Sequence, residues 1–156
     1  MLRITEYIRD TLNDKPIRKF DGAILIWNLT NVCNLSCWHC YASANAQPKE
    51  ELSTESLLEV IPDLKEAGVR FAILSGGEPL IRKDVYQLST ALRAEGIQTY
   101  LSTNGLLVNE QNIDRIKEHF TYMGISIDGS PEIHEQFRGK KGSYQRSLDA
   151  IRLGLS

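Results

Sequence analysis

Two stretches of this chain repeat one another, and the repeat constrains the fold more than any other feature of the sequence. LKEAGVRFAILSGG starts at Leu64 and LRAEGIQTYLSTNG starts at Leu92, and the two align without gaps, 28 residues apart. Each reads as the end of a helix, a glycine cap, a strand and a polar turn. Repetition at this period is typical of stacked parallel βα units.

The rest of the chain continues this alternation of short apolar runs and helical patterns. The patterns predict four strands and a last helix that begins near Ser143, with the strands over residues 23–30, 70–75, 98–102 and 122–128. Because the first strand is so rich in apolar residues, we expect it to be buried on both faces. Parallel strands joined by helices form an α/β fold, either an open doubly wound sheet or a barrel.

A helical pattern separates the first two strands. Ser53 suits the N-cap of this pattern and Gly68 suits its C-cap. Pro62 lies inside the pattern, and proline removes a backbone hydrogen bond from a helix interior. We therefore expect either a kink at Pro62 or a second helix that begins around it.

The composition is that of an ordinary globular domain. Hydrophobic residues make up 42% of the 156 residues, and the net charge of -2 leaves no basic surface for nucleic acid. Residues 1–20 are predicted to form an N-terminal helical extension, and charges such as Arg3, Glu6 and Arg9 interrupt it too often for a signal peptide or a membrane span. We therefore expect a cytoplasmic protein that binds neither membrane nor nucleic acid.

Unusual residues follow all four predicted strands, at the ends where parallel sheets carry their functional groups. The loops read CNLSCWHC from Cys33, SGGEP from Ser75, STNG from Ser102 and SIDGS from Ser126. Glycine pairs let a ligand approach backbone N–H groups closely, and Glu78 adds an anionic acceptor suited to an amine-bearing small molecule. The sequence therefore predicts one binding site at this edge.

The chain has three cysteines, and Cys33, Cys37 and Cys40 all lie in the first of these loops. An odd number of thiols in a reducing compartment argues against disulfides. A structural zinc site takes four Cys or His ligands, so it would need a histidine such as His39 as the fourth. The third alternative is an iron–sulfur cluster held by three thiolates, with one iron open to a substrate or cofactor.

The pattern C-x3-C-x2-C resembles the signature of the radical S-adenosylmethionine (radical SAM) superfamily, and SGGEP and STNG support the resemblance. It implies that Cys33, Cys37 and Cys40 ligate a [4Fe-4S] cluster whose open iron chelates S-adenosylmethionine. It also implies that one electron, from a donor such as flavodoxin or ferredoxin, cleaves the cofactor. The 5′-deoxyadenosyl radical that results abstracts hydrogen from the substrate.

The resemblance further implies which residues contact each part of S-adenosylmethionine: Gly76, Gly77 and Glu78 the amine, His39 the adenine, Ser102 or Asn104 the ribose, and Ser126 and Arg138 the carboxylate. Plainer interpretations stand beside these roles. The glycine pair also suits a simple turn, and Glu78 also suits a solvated loop carboxylate. Arg138 also suits a solvated basic loop with Lys140 and Lys141. His119 and His134 are predicted to lie on the surface without a role.

The substrate is predicted from the region around the first strand. ILIWNLTNVCNLSCWHCYASA resembles the start of the radical SAM proteins of heme d1 and alternative heme biosynthesis, which act on propionate side chains of tetrapyrroles. Similar sequences occur in peptide-maturing enzymes with a cysteine-rich SPASM-type domain, so a peptide is the alternative substrate.

The resemblance covers the N-terminal part of such proteins. A full radical SAM core is a barrel of six βα units, whereas residues 21–156 supply about four of them, so we expect a partial barrel truncated before the last units. An isolated arc of four strands would leave an edge and an apolar face exposed. The remaining alternative is therefore a non-catalytic iron–sulfur remnant that needs a partner to complete the barrel.

Overall fold

The computed structural model describes residues 22–44 and 50–156. The predicted helical extension over residues 1–20 lies outside the described residues. The strands are β1 (Ala23–Asn28), β2 (Val69–Ser75), β3 (Gln98–Thr103) and β4 (Tyr122–Ile125). The helices are α1 (Thr54–Glu59), α2 (Ile61–Glu66), α3 (Val85–Ala94), α4 (Ile113–His119), α5 (Pro131–Arg138) and α6 (Ser143–Leu155), with a short 3₁₀ helix over Pro79–Ile81.

The four strands form one parallel sheet in the order of the chain, β1-β2-β3-β4. One row of the register runs from Trp27 through Leu74 and Leu101 to Met123. This arrangement confirms the α/β class and the partial barrel of parallel βα units. Because every connection is a parallel crossover, the carboxyl ends of all four strands lie at one edge.

The helical segment between β1 and β2 divides at Pro62 as expected. Ser53 caps α1 by accepting a hydrogen bond from the backbone N–H of Ser56, and α1 ends at Glu59. Pro62 then stands in the first turn of α2, where a helix has no partner for the missing N–H. The segment therefore forms two short helices.

The main core lies between the sheet and the helices on one of its faces. Alternate residues of the strands point to this face, and they pack against the apolar side of α3. The fully buried members include Ala72, Leu74, Val85, Leu88 and Leu92. Apolar residues that recur every 3.6 residues in the helix and every two residues in the strands thus form one apolar layer.

No helix in the described residues covers the other face of the sheet, which we call the open face, and here the prediction that β1 is buried on both faces is wrong. Ile26 is 63% exposed, and Ile24 beside it is also exposed. Leu25 and Trp27, which alternate with them, face the helices and pack on the core. An apolar run identifies a strand, but it does not reveal that helices cover one face only.

Aromatic rings line part of the open face. Phe71 stacks on Tyr100 with ring centroids 5.6 Å apart, and Tyr100 meets the edge of Tyr122 at 6.0 Å. Edge-to-face and offset contacts of this kind stabilise neighbouring strands. The open face is therefore apolar and aromatic at the amino half of the strands.

Three features near β4 differ from the prediction. The strand ends at Ile125, before Ser126, and the backbone N–H of Asp128 donates to the ring of His134. No helix is predicted between the fourth strand and Ser143, but α5 lies there, and Ser130 caps it while Gly139 ends it in the left-handed region at φ 64°. His134 lies on this helix and is 1% exposed, so its predicted surface position is wrong.

None of the helices in residues 22–44 and 50–156 has the length and apolar character that crossing a membrane requires.

Candidate functional site

The three cysteines lie together at the carboxyl edge of the sheet. A small apolar cluster of Cys33, Leu35, Ala44 and Leu106 forms there, separate from the main core, and Cys37 and Cys40 pack against it. All three thiols are free. The fold therefore brings the loop after β1 into contact with the turn that follows β3.

Gly76 and Gly77 let the turn after β2 lie directly on the start of the cysteine loop. Gly77 N donates to Thr30 O at 2.7 Å, and Glu78 N donates to Val32 O at 2.9 Å. A Cβ atom on Gly77 would lie 2.3 Å from Val32 O, and one on Gly76 would lie 2.5 Å from Thr30 O. Backbone proximity thus explains both glycines independently of any ligand.

Glu78 is completely buried and ties two turns together. Its Oε1 accepts from Thr103 Oγ1 at 2.8 Å and from Leu80 N at 3.1 Å, and its Oε2 accepts from Asn104 N at 2.9 Å. Burial raises the pKa of Glu78 above its ordinary value, although the three hydrogen bonds oppose the shift. The interpretation as a solvated loop carboxylate is wrong, whereas contact with an amine stays a prediction.

Asn104 joins the turn after β3 to the cysteine loop. Its Nδ2 donates to Asn34 Oδ1 at 2.7 Å and lies 3.9 Å from Cys33 Sγ, while its Oδ1 accepts from Leu106 N. Ser102, the other residue predicted at the ribose, lies on the open face of β3 opposite Gly124. Of the two residues predicted at the ribose, Asn104 therefore contacts the cysteine loop, whereas Ser102 lies on the open face of the sheet.

Arg138 reaches the cysteine loop from the end of α5. Its Nε and Nη2 donate to the two carboxylate oxygens of Asp128, at 2.5 and 2.9 Å, and its Nη1 lies 3.9 Å from Cys37 Sγ. The side chain is 12% exposed, so the interpretation of Arg138 as part of a solvated loop is wrong. Phe137 O also accepts from Trp38 N, which fixes α5 to the same loop.

His39 and Ser126, the other two residues predicted at the adenine and the carboxylate, are both exposed. The ring of His39 is 5.1 Å from that of Phe137, and its Nε2 is 4.0 Å from Asp128 Oδ1. Ser126 follows β4 directly, two residues before Asp128. The structure thus places His39 beside the Asp128–Arg138 pair, and the roles of both residues stay predictions.

Sequence reasoning missed three residues of this site: Asn34, Asp128 and His134. Asp128 had a visible signal, because it lies in the loop SIDGS that follows the fourth predicted strand. Nothing in the sequence marked Asn34, whose partner Asn104 is 70 residues away.

The surroundings of the thiols suit a group that brings positive charge. Burial raises the pKa of Cys33 and the nearby charges of Glu78, Cys37 and Cys40 raise it further, although a backbone hydrogen bond at Leu35 opposes the shift. A nearby positive charge would favour the thiolate. N–H donors of Asn104 and Arg138 face two of the three sulfurs, as hydrogen bonds to sulfur do around iron–sulfur clusters. Within the described ranges, no three His, Cys, Asp or Glu side chains converge on a single metal ion.

Comparison with known proteins gives a family and several relatives. The model of the radical SAM superfamily matches residues 27–154. Fe-coproporphyrin III synthase of Methanosarcina barkeri is 40% identical over 130 residues, which are 82% of this chain and 33% of that protein. Pre-heme d1 synthase of Dinoroseobacter shibae is 40% identical over 157 residues, which cover 97% of this chain and 39% of that protein. This chain therefore spans between a third and two fifths of the length of these relatives.

A maturase and two solved structures also match. Mycofactocin maturase MftC of Mycolicibacterium smegmatis is 32% identical over 137 residues, 86% of this chain and 35% of that protein. The structure of anSMEcpe with bound AdoMet is 26% identical with a TM-score of 0.68, over 83% of this chain and 39% of that one. Streptococcus suis SuiB bound to its precursor peptide SuiA is 17% identical with a TM-score of 0.68, over 96% and 34%, and shows the fold alone.

Gly77→Ala tests the close approach of the two loops. The new methyl group would collide with the backbone of Val32, so we expect a loss of about 1–3 kcal/mol in the free energy of unfolding, the usual effect of overpacking. Urea unfolding measures it. Gly124→Ala is the matched control, because its Cβ would meet no atom closer than 3.6 Å. Equal effects of the two substitutions would contradict the steric role of Gly77.

Glu78→Gln tests the buried carboxylate through pH. Because the pKa of Glu78 is raised in the folded state, the native protein keeps a proton that the unfolded chain has lost. The contribution of Glu78 to the free energy of unfolding is therefore complete below the ordinary glutamate pKa. It is lost as the pH rises through the raised pKa of the folded state. We expect the free energy of unfolding to fall less with rising pH in Glu78→Gln than in the wild type.

Urea unfolding at several pH values above the ordinary pKa measures that slope. Glu66→Gln, an exposed glutamate of α2, is the control and keeps the wild-type slope. Superimposable slopes for all three proteins would show that Glu78 titrates as an ordinary carboxylate.

Proposed function

This chain belongs to the radical SAM superfamily, and from that membership we propose that Cys33, Cys37 and Cys40 hold a [4Fe-4S] cluster that binds S-adenosylmethionine. Enzymes of this family use that cluster and cofactor. The observation that carries the proposal is the grouping of three free thiols at the carboxyl edge of a parallel sheet, against the turns that follow β2 and β3. Three thiolates leave one iron of a four-iron cluster without a protein ligand.

Residues 21–156 form the radical SAM core in this proposal, and each loop has a part. The backbone around Gly76 and Gly77 and the hydroxyl of Ser102 lie at the edge where the cofactor would bind. Asn104 and Glu78 hold the turns in place, since their side chains bond to the protein itself. Ser126 and Arg138 would receive the carboxylate, and His39 would lie near the adenine.

The cluster and S-adenosylmethionine together supply one-electron cleavage of a C–S bond and hydrogen abstraction from the substrate. The protein positions the groups and excludes water. Arg138 places a positive charge beside Cys37, where it offsets the negative charge of thiolates. The electron would come from a small redox protein such as flavodoxin or ferredoxin.

A tetrapyrrole is the substrate class that we favour. The relatives at 40% identity are named for making Fe-coproporphyrin III and pre-heme d1, and a relative at 38% is named AdoMet-dependent heme synthase. The open face of the sheet, with Tyr100 and Tyr122 and the exposed Ile24 and Ile26, suits a large apolar molecule. A peptide is the second candidate, because MftC is also a relative.

Anaerobic reconstitution with iron and sulfide tests the cluster. We expect the reduced protein to give an electron paramagnetic resonance signal that shifts when S-adenosylmethionine is added, because the cofactor would bind the open iron. Cys37→Ala should lose the signal, whereas Ser36→Ala, an exposed neighbour, should keep it. A signal indifferent to S-adenosylmethionine would favour a non-catalytic iron–sulfur protein.

Binding distinguishes the two substrate classes. When iron coproporphyrin III is titrated with the reconstituted protein, we expect the Soret band of the porphyrin to shift and the shift to saturate. Ile26→Asp, which puts a charge on the open face, should weaken that binding. Lys65→Asp, on the helical side, is the control. Absence of saturation, together with binding of a precursor-type peptide, would replace the tetrapyrrole by a peptide.

A further inference from the structure

Asp128 and Arg138 form the most closely bonded charge pair at the edge of the site. Two parallel bonds join them, from Nε to Oδ2 at 2.5 Å and from Nη2 to Oδ1 at 2.9 Å. Both side chains are largely buried. A bidentate pair of this kind fixes the plane of the guanidinium as well as its position.

The bonds to Asp128 determine which N–H donors of Arg138 remain available. A guanidinium has five N–H donors, and the two bonds to Asp128 and the contact with Cys37 Sγ use three of them. One N–H on Nη1 and one on Nη2 remain. The edge of the guanidinium formed by Nε and Nη2 therefore faces Asp128, while Nη1 lies at the cysteine loop.

A residue of α5, His134, contacts Asp128 in turn. Its backbone N–H donates to His134 Nδ1 at 3.3 Å, and its Oδ2 lies 3.4 Å from the same nitrogen. The ring of His134 packs edge-on against Tyr144 of α6, with centroids 5.6 Å apart. Because Nδ1 accepts from the backbone N–H, it does not donate to the carboxylate, so α5 and α6 hold Asp128 through its main chain.

We propose that Asp128 is a positioning residue: it holds Arg138 side-on, so that the free end of the guanidinium is presented beside Cys37 to the carboxylate of S-adenosylmethionine. The inference rests on the proposed function, since it assigns Asp128 to the same cofactor site. An unanchored arginine would have to lose its side-chain freedom on binding, and fixing it beforehand removes that cost. Asp128 does not contact the cofactor in this account.

The first arm of the test uses the apo protein and does not depend on the cluster. In the wild type we expect the Arg138 Nε–H to give a slowly exchanging resonance in ¹⁵N nuclear magnetic resonance spectra, because Asp128 holds it. Asp128→Asn should move this resonance and speed its exchange. Asp149→Asn is the matched control, since it removes the partner of Arg152 from an exposed pair on α6.

The second arm measures S-adenosylmethionine binding to the reconstituted proteins by equilibrium dialysis. We expect Asp128→Asn to raise the dissociation constant about tenfold and Arg138→Gln to raise it at least as much. The double variant should bind no more weakly than Arg138→Gln, because residues that act through one contact are not additive. The double variant also lacks an unpaired buried guanidinium, so it remains informative if Asp128→Asn unfolds.

Each outcome is decisive. Unchanged binding by Asp128→Asn, or additive effects in the double variant, would overturn the positioning role while leaving the proposed function intact. An Arg138 resonance indifferent to Asp128→Asn would also overturn it. Failure of the wild type to bind S-adenosylmethionine, with a wild-type Arg138 resonance that still depends on Asp128, would overturn the proposed function and the inference with it.

Discussion

The buried carboxylate of Glu78 joins turns that are far apart in the sequence, and the geometry of the edge depends on it. One oxygen accepts from Thr103 and from Leu80, and the other accepts from the backbone of Asn104. A buried carboxylate without such donors would be strongly unfavourable, so the three bonds are a condition for its position. Asn104, placed in this way, continues the network to Asn34 beside Cys33.

Two separate supports therefore hold the cysteine loop. On one side, the glycine turn after β2 and the Asn104 turn after β3 contact the part of the loop around Cys33. On the other side, α5 contacts the part around Cys37 through Phe137 and Arg138. The loop has no regular secondary structure of its own, so these contacts are what give its thiols fixed positions.

The sheet divides the described part of the molecule into a structural side and an open side. Helices cover one face and build the core with residues such as Leu74 and Leu88. The other face carries apolar and aromatic side chains that end near Ser102 at the carboxyl edge. An apolar surface that leads to a polar edge suits a ligand with a large apolar body and polar substituents.

The sequence by itself determined the βα alternation, the division of the helix at Pro62 and the edge at which the functional loops meet. These features follow from local spacing, capping and the geometry of parallel crossovers, all of which can be read along the chain. It also placed Cys33, Cys37 and Cys40 in one loop. The residues that carry the family resemblance are close in sequence, which is why they were recognisable.

Only the tertiary structure decided which face of β1 is open, that His134 is buried and that Glu78 and Asn104 bond to the protein. It also paired Arg138 with Asp128 and set that pair against Cys37, which is 101 residues from Arg138. Burial and hydrogen-bond partners depend on which distant segments meet, and a hydrophobic pattern does not carry that information. The physical reason is that spacing along the chain determines periodicity, whereas contacts across the sheet edge determine where each polar side chain points.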